Sequence, residues 1–529
     1  MRGARAWGTV APSLREVAPI PTASRTDAAA EGDPLAVSAG LFWSLFLVLF
    51  VLSALPVLIV DVPPLFDYPN HLARMYLLAH LQDAGRLQAY YAVHWTALPN
   101  LAMDLVVPLF ARVMPLPWAG KIFILASFAL TAGGVASVHR IAAGRWTLWP
   151  LTAFLFLYSR ILLWGFLNYL FGIGLALVGL AAWMALAERP PWLRLLVGAL
   201  FALATFFAHL MAALVLGAMV AGYELDRLSR LPAPRWRTAL QRLGVTGLAF
   251  AVPVLLLLAG PHGELGAIRF SRWVRKFDLP FSVLDDYHRA FDLGCFIVLL
   301  AGGGILLARG RLRVMASLRL ALFFLLFLYV IAPTQIMTAS AVDHRLPLLL
   351  AFMLTAATVA SGLSVRQARY VAIFLCALFV VRMGLVLQAW EEAAQAYRRD
   401  IAVLDRLPEG ARVALAYPAS AIAVDPVPKT HLPLLAVIRR DAFVPTLFAF
   451  KAQQPVLLTP LGETLAAEAE PSALWRALQE NGGEDAVATA LRSYDFLIAL
   501  DRRPFRSPPL PELQPVAAEP DFALYRVQH

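Results

Sequence analysis

From Ala39 to Val60 the sequence runs for 22 residues without a charged side chain. A helix needs roughly 20 apolar residues to cross the hydrocarbon of a bilayer, so this run is predicted to be a membrane span. It starts too late and runs too long for a cleaved leader, and is expected to be retained as an anchor. Further apolar runs fall at 118–138, 148–163, 168–187, 243–260, 291–308, 317–336, 346–364 and 370–388. The stretch from Trp192 to Leu225 is long for one helix, and dividing it near His209 brings the expected total to about 11 spans. With 60% hydrophobic and 15% charged residues, a soluble core is excluded.

The net charge of +10 does not point to nucleic acid, because the arginines cluster between apolar runs, as in HRIAAGRW (139–146), DRLSRLPAPRWRTALQR (226–242) and RGRLRVMASLR (309–319). Such loops stay on the cytoplasmic side, which puts the amino terminus inside and everything after residue 388 outside. Residues 98–115 carry Asp104, Pro108 and Arg112 and are predicted to lie along the membrane surface. Cys295 and Cys376 both sit in apolar runs, so neither a disulfide nor a cysteine metal site is indicated.

Three parts are expected: a disordered cytoplasmic tail over 1–38, a membrane domain over 39–388 with its first outer loop at 61–117, and an extracytoplasmic α/β domain over 389–529. In the last part RVALAYP (412–418), YDFLIAL (494–500) and FALYRV (522–527) read as strands, with helical pieces at Leu474–Gln479 and Ala486–Leu491 between them. The fold class is thus a mainly α, polytopic membrane helix bundle with a small C-terminal α/β domain.

Chemistry concentrates in DVPPLFDYPNHLARMY, Asp61 to Tyr76, where the first span meets water. Carboxylates are costly at a membrane boundary. Pro63 and Pro64 forbid a continuing helix and Pro69 suits the start of a new one, placing Asp67 just before that helix. His71 and Arg74 share one of its faces, while Leu72, Met75, Tyr76 and Ala79 form an apolar stripe suited to the bilayer surface. Two readings stand: Asp67 works with His71 and Arg74 as a site, or Asp67 is a helix cap and the other two are interfacial anchors.

Elsewhere, the outer segment IRFSRWVRKFD carries Arg269, Arg272, Arg275 and Lys276. Arg269, Arg272 and Lys276 would share a face if the segment were helical, suiting either a phosphate or anionic lipid headgroups. Arg345 of DHRLP opens a late span, as a phosphate clamp or as a snorkelling anchor, and Asp343 is placed to pair with it. Asn168 and His209 are polar groups at membrane depth; for Asn168, beside Gly165, Gly172 and Gly174, close helix packing is the favoured reading. There is no Walker loop, HExxH, GxSxG or CxxC, which argues against an ATP-driven pump or a zinc peptidase.

The acidic loop after the first span, about 11 spans and the C-terminal α/β domain together resemble the GT-C superfamily of integral-membrane glycosyltransferases, in particular bacterial members acting on lipid-linked sugars and envelope glycans. The DYPNHLAR stretch is also similar to that of a group of bacterial membrane proteins to which no activity is attached. The GT-C resemblance implies a bacterial inner-membrane location, a periplasmic C-terminal domain and a catalytic aspartate in the first outer loop. The matching position is Asp67, with Asp61 the second candidate, although DYPNH stands where many members have adjacent acids. DHRLPLLLAF resembles the arginine-and-proline pattern that begins a late span in such enzymes, and so implies Arg345 as a contact to the donor's phosphate.

On that reading Asp67 deprotonates an acceptor hydroxyl while Arg345, helped by Arg269 or Arg272, steadies the departing polyprenyl phosphate, with inversion at the sugar. His71, Arg74 and His209 complete the expected substrate contacts. Whether a divalent metal ion joins Asp61 and Asp67 is left open, and no other cofactor is indicated. A transporter or flippase for a lipid-linked glycan, and a noncatalytic subunit of a polysaccharide assembly system, are the competing readings. The expected partners are a lipid-linked sugar donor and membrane lipids, not nucleic acid; sequence names no protein partner.

Overall fold

The computed structural model describes residues 33–83, 85–232, 236–260, 267–284, 287–336, 339–419, 429–479, 484–500 and 512–529. Most of the tail expected over 1–38 lies outside the described residues. The first span is helix α1, Ala39–Ile59, whose start is fixed by the Ser38 hydroxyl accepting from the Leu41 backbone N–H. After the prolines come α2 (Tyr68–His80), strand β1 (Tyr91–Val93), α3 (Ala102–Ala111) and α4 (Leu116–Ala143), which Gly144 ends in the left-handed conformation at φ 72°. Next are α5 (Arg160–Leu163), α6 (Leu167–Ala185), α7 (Pro191–Ala208), α8 (Leu210–Ser229) and α9 (Trp236–Ala259). Then follow α10 (Arg275–Asp278), α11 (Arg289–Ala308), β2 (Leu312–Val314), α12 (Arg319–Ile331), α13 (Leu346–Ala357), β3 (Thr358–Ala360) and α14 (Val365–Leu404).

Seven of these helices, α1, α4, α6, α7, α9, α11 and α14, are long and apolar enough to cross a membrane. The predicted spans at 317–336 and 346–364 are shorter as helices, 13 residues in α12 and 12 in α13. The long run after Trp192 does break at His209, which is extended at φ −166° and ψ 128° between α7 and α8.

The span expected at 148–163 is not one helix. It is a 3₁₀ segment over Trp149–Phe156 followed by the single turn of α5. Backbone groups at membrane depth need partners, and here Arg382 of α14 supplies them. Paired with Asp292 at 3.1 Å, its guanidinium donates to the carbonyls of Leu155 at 3.1 Å and Tyr158 at 2.7 Å.

At the bundle centre α4 and α6 touch backbone to backbone. A Cβ on Gly174 would stand 2.7 Å from Leu130 Cβ and 3.0 Å from Thr131 N, so only glycine permits that approach.

Helix α14 is 40 residues long, about 60 Å at 1.5 Å per residue, roughly twice the hydrocarbon thickness. The span predicted to end at 388 therefore runs on as a stalk. Trp390 and Ala394 pack in the bundle core, whereas Tyr397, Val403 and Leu404 belong to the core of the C-terminal unit.

That unit contains β4 (Val413–Ala416), α15 (Leu435–Arg440), β5 (Val456–Leu458), α16 (Pro460–Glu468), α17 (Pro471–Gln479), α18 (Glu484–Leu491), β6 (Phe496–Ala499), β7 (Leu513–Glu519) and β8 (Phe522–Val527). The sheet order is β4-β6-β8-β7, with β4 and β6 parallel and the other pairs antiparallel. The parallel pair requires the helical crossover that the sequence places between them. Strand β5 pairs with β1, Tyr91 opposite Leu458, and so ties the first loop to the C-terminal unit.

Helix α2 consequently does not rest on a bilayer surface. Leu72 and Met75 are buried in the bundle core, while Ala73 and Leu77 are buried in the core of the C-terminal unit.

Candidate active site

Asp67 is positioned from the backbone upward. Phe66 N donates to Leu163 O at 2.8 Å and Asp67 N to Trp164 O at 3.2 Å, laying the loop against the turn after α5. Gly165 in that turn has φ 82°, and a Cβ there would fall 2.9 Å from Asp67 N and 3.0 Å from Asp67 Cβ. No other residue type meets both demands without strain. Asp67 occupies the N-cap position of α2, yet its carboxylate makes no capping hydrogen bond. Its side chain is 15% exposed. Burial pushes its pKa up from 3.8 to about 7, against the opposing pull of the Arg74 and Arg345 charges. An uncommitted carboxylate poised near neutrality is what general-base work requires.

The C-terminal unit closes over it. His431 Nε2 lies 3.5 Å from Asp67 Oδ1, and its ring packs on Phe66 and Phe448 with centroids 4.9 Å and 5.1 Å away. Burial lowers the His431 pKa to about 4, so the ring is neutral at pH 7. Asn70, fully buried one turn into α2, binds this unit: its Oδ1 accepts from Phe448 N at 2.8 Å, and its Nδ2 meets Thr446 O at 3.0 Å and His431 Nδ1 at 3.3 Å. His71 is buried on α2 with its Nδ1 lacking a partner; burial, with the Arg74 charge, holds it well below the usual imidazole range.

Arg345 approaches from the turn before α13. Its Nη1 donates to Ser340 O at 2.8 Å, its guanidinium stacks 4.4 Å above the Phe166 ring, and its buried Nε has no partner. Burial lowers its pKa to about 10, while the charges of Tyr169, Asp67 and Asp343 favour the cation. Asp343 does not pair with it as predicted. It instead takes Lys276 Nζ at 3.0 Å, with Ser271 and Thr334 hydroxyls at 3.2 Å and 3.1 Å.

The other predicted residues are placed differently. Arg74 is held by both oxygens of Asp104, at 2.7 Å and 3.0 Å, with both side chains buried. Asp61 is 73% exposed and 3.5 Å from Arg398 of α14. Among the described residues no three His, Cys, Asp or Glu side chains gather as a metal site. His209 Nδ1 caps α8 by accepting from Met211 N at 3.1 Å. Its ring meets Tyr169, whose hydroxyl donates to Arg345 O at 2.7 Å. Asn168 accepts from Met103 N at 2.8 Å and donates to Asn100 O, joining α6 to the loop before α3.

Arg269 and Arg272 are exposed and precede the one-turn α10, so they share no helical face with Lys276. Their segment is nevertheless fastened beside Arg345, through Arg269 N to Gln335 O at 3.0 Å and through Ser271 and Lys276 to Asp343.

Asn70, Gly165 and His431 were not singled out from sequence as site residues. Asn70 lay inside the DYPNH stretch and Gly165 beside Asn168, so both were within reach of a closer reading. His431 sits in a loop with no motif around it, and only the fold joins it to Asp67.

The fold so described is a polytopic membrane helix bundle carrying a small C-terminal α/β unit, and it has counterparts among solved structures. Specifically, the chain is similar to the crystal structure of ArnT from Cupriavidus metallidurans bound to undecaprenyl phosphate, with a TM-score of 0.54 and 11% identity over 92% of this chain and 97% of that one. The apo crystal structure of the same protein covers the same shares at a TM-score of 0.49 and 12% identity. No family model and no curated protein sequence matches the chain. At such identity the likeness concerns the fold alone.

Proposed function

We propose that this protein is a membrane glycosyltransferase that moves a sugar from a polyprenyl-phosphate donor to an envelope glycan, lipid or protein acceptor, in a bacterial inner membrane with the C-terminal unit in the periplasm. The observation that carries the reading is Asp67: a mostly enclosed carboxylate with a pKa near 7, free of any capping role, beyond the end of α1 and under the charge of Arg345. The crystallisation of ArnT with undecaprenyl phosphate supports a lipid-linked donor.

Chemically, the acceptor hydroxyl loses its proton to Asp67 as its oxygen forms a bond to the anomeric carbon. The bond from that carbon to the donor phosphate breaks, and the phosphate leaves with the electron pair. Displacement from the face opposite the leaving group inverts the centre. Arg345, with a free Nε, receives the charge growing on the phosphate. The exposed Arg269 and Arg272 meet the donor headgroup on its way in, or the anionic lipid around it.

The test is to incubate purified protein with a panel of polyprenyl-phosphate sugars and follow sugar transfer. Turnover in the wild type that is lost in Asp67→Asn supports the assignment. Turnover undiminished in that variant removes Asp67 from the chemistry, and no turnover with any donor favours the noncatalytic or transporter readings.

A further inference from the structure

Asn70 has a unique amide orientation. Its oxygen must face the Phe448 N–H and its nitrogen the Thr446 carbonyl, since the opposite orientation would set donor against donor and acceptor against acceptor. The second hydrogen of that nitrogen then points at His431 Nδ1, 3.3 Å away. Nδ1 is thereby the acceptor of the ring, and the neutral ring carries its proton on Nε2, the atom 3.5 Å from Asp67 Oδ1. The ring is clamped between Phe66 and Phe448, so this N–H has a fixed direction.

We propose that His431, lent by the C-terminal unit and held in the Nε2–H tautomer by Asn70, is the positioning residue for Asp67: its N–H closes onto Oδ1 as the carboxylate ionises and leaves Oδ2 to take the acceptor's proton. The inference rests on Asp67 being the base, but its test does not depend on any substrate. A donor aimed at one carboxylate oxygen favours the ionised form and orients the other lone pairs. The remaining titratable and charged groups facing Asp67 are Arg74 and His71 on α2 and Arg345 from the turn before α13, with His344 next to it. None of them is oriented by Asn70.

The experiment is an infrared titration of the purified full-length protein in lipid nanodiscs, with the protonated carboxyl band of Asp67 assigned by its disappearance in Asp67→Asn. His431→Phe keeps an aromatic ring between Phe66 and Phe448 and removes the donor. The expected result is an Asp67 midpoint that moves up by about one pH unit in His431→Phe. In His431→Gln, whose amide can donate from a similar position, the midpoint returns toward the wild type. Melting curves establish that each variant is folded, and Asn70→Ala, which removes the contact that fixes the tautomer while leaving the Asp67 and His431 side chains themselves in place, is expected to move the midpoint up as well. An unmoved midpoint in folded His431→Phe overturns the proposal while leaving Asp67 available as the base. Loss of the catalytic reading would show separately, as sugar transfer that survives Asp67→Asn.

Discussion

Gly165 and Asp67 meet so closely that a single methyl group on the glycine would lie 2.9 Å from the Asp67 backbone nitrogen. Gly165→Ala also forces a φ of 82° on an L side chain. The variant is expected to lose about 1 to 3 kcal/mol of stability and to displace the carboxylate, so that sugar transfer falls further than the melting temperature alone explains. Comparing transfer at a temperature where the variant remains folded checks this.

Asp67→Asn is expected to lower transfer by about 10²- to 10⁴-fold. Stability should move the other way. Because the folded pKa stands above the unfolded value, the native state holds a proton that the unfolded chain has already lost between pH 4 and 7, and wild-type stability falls as pH rises through that window. Asparagine removes this cost, which is at most about 4 kcal/mol above pH 7. Melting of both proteins at pH 5 and pH 8 should show the variant's advantage growing with pH.

Transfer by the wild type is expected to rise with pH through an apparent pKa near 7, since the base acts only when ionised. His71 and His431 are neutral throughout that range and contribute no second limb there. A rate profile flat between pH 5 and 9 would argue that another group accepts the proton.

Arg74→Ala leaves the Asp104 carboxylate buried and alone, at an expected cost of about 3 to 5 kcal/mol. If Arg74 is a structural pair member, Arg74→Met combined with Asp104→Leu should recover most of that loss and much of the transfer activity. A ligand-binding arginine would instead leave folding intact and raise the donor KM.

For Arg345, alanine should raise the donor KM by about ten- to a hundredfold, the worth of a charge-assisted hydrogen bond. Lysine should recover little, because it lacks the planar fork and the stack on Phe166. Initial rates against donor concentration decide between this and a purely structural role.

The membrane architecture was legible where helices satisfy their own backbone. The apolar runs at α1, α4, α6, α9 and α11 and the break at His209 follow from length and charge alone. The 148–163 run was misread as a helix because its carbonyls are satisfied by Arg382, which hydropathy cannot pair with them. The length of α14 was missed for the opposite reason: its outer half changes composition but keeps helical spacing, with Trp390, Ala394 and Tyr397 on a continuous buried stripe. In the site, Asp67 and Arg345 stood out as charges at membrane boundaries. Arg74 stood out equally, yet Asp104 had already claimed it, and the visible clue was an opposite charge in the same outer loop. His431 had no such clue, since nothing local distinguishes a histidine in a loop from any other.

The pairing of β1 with β5 bears on the order in which the protein is made. A ribosome releases Asp67 and Asn70 early, but the strand, the Thr446 carbonyl, the Phe448 N–H and the His431 ring that meet them emerge only in the last fifth of the chain. Until then Asp67 and Asn70 lack the partners that the C-terminal unit brings to them in the folded chain. The surroundings of Asp67 are thus completed only when the last fifth of the chain has joined the first loop, so a chain cut before residue 431 lacks them however well its helices pack.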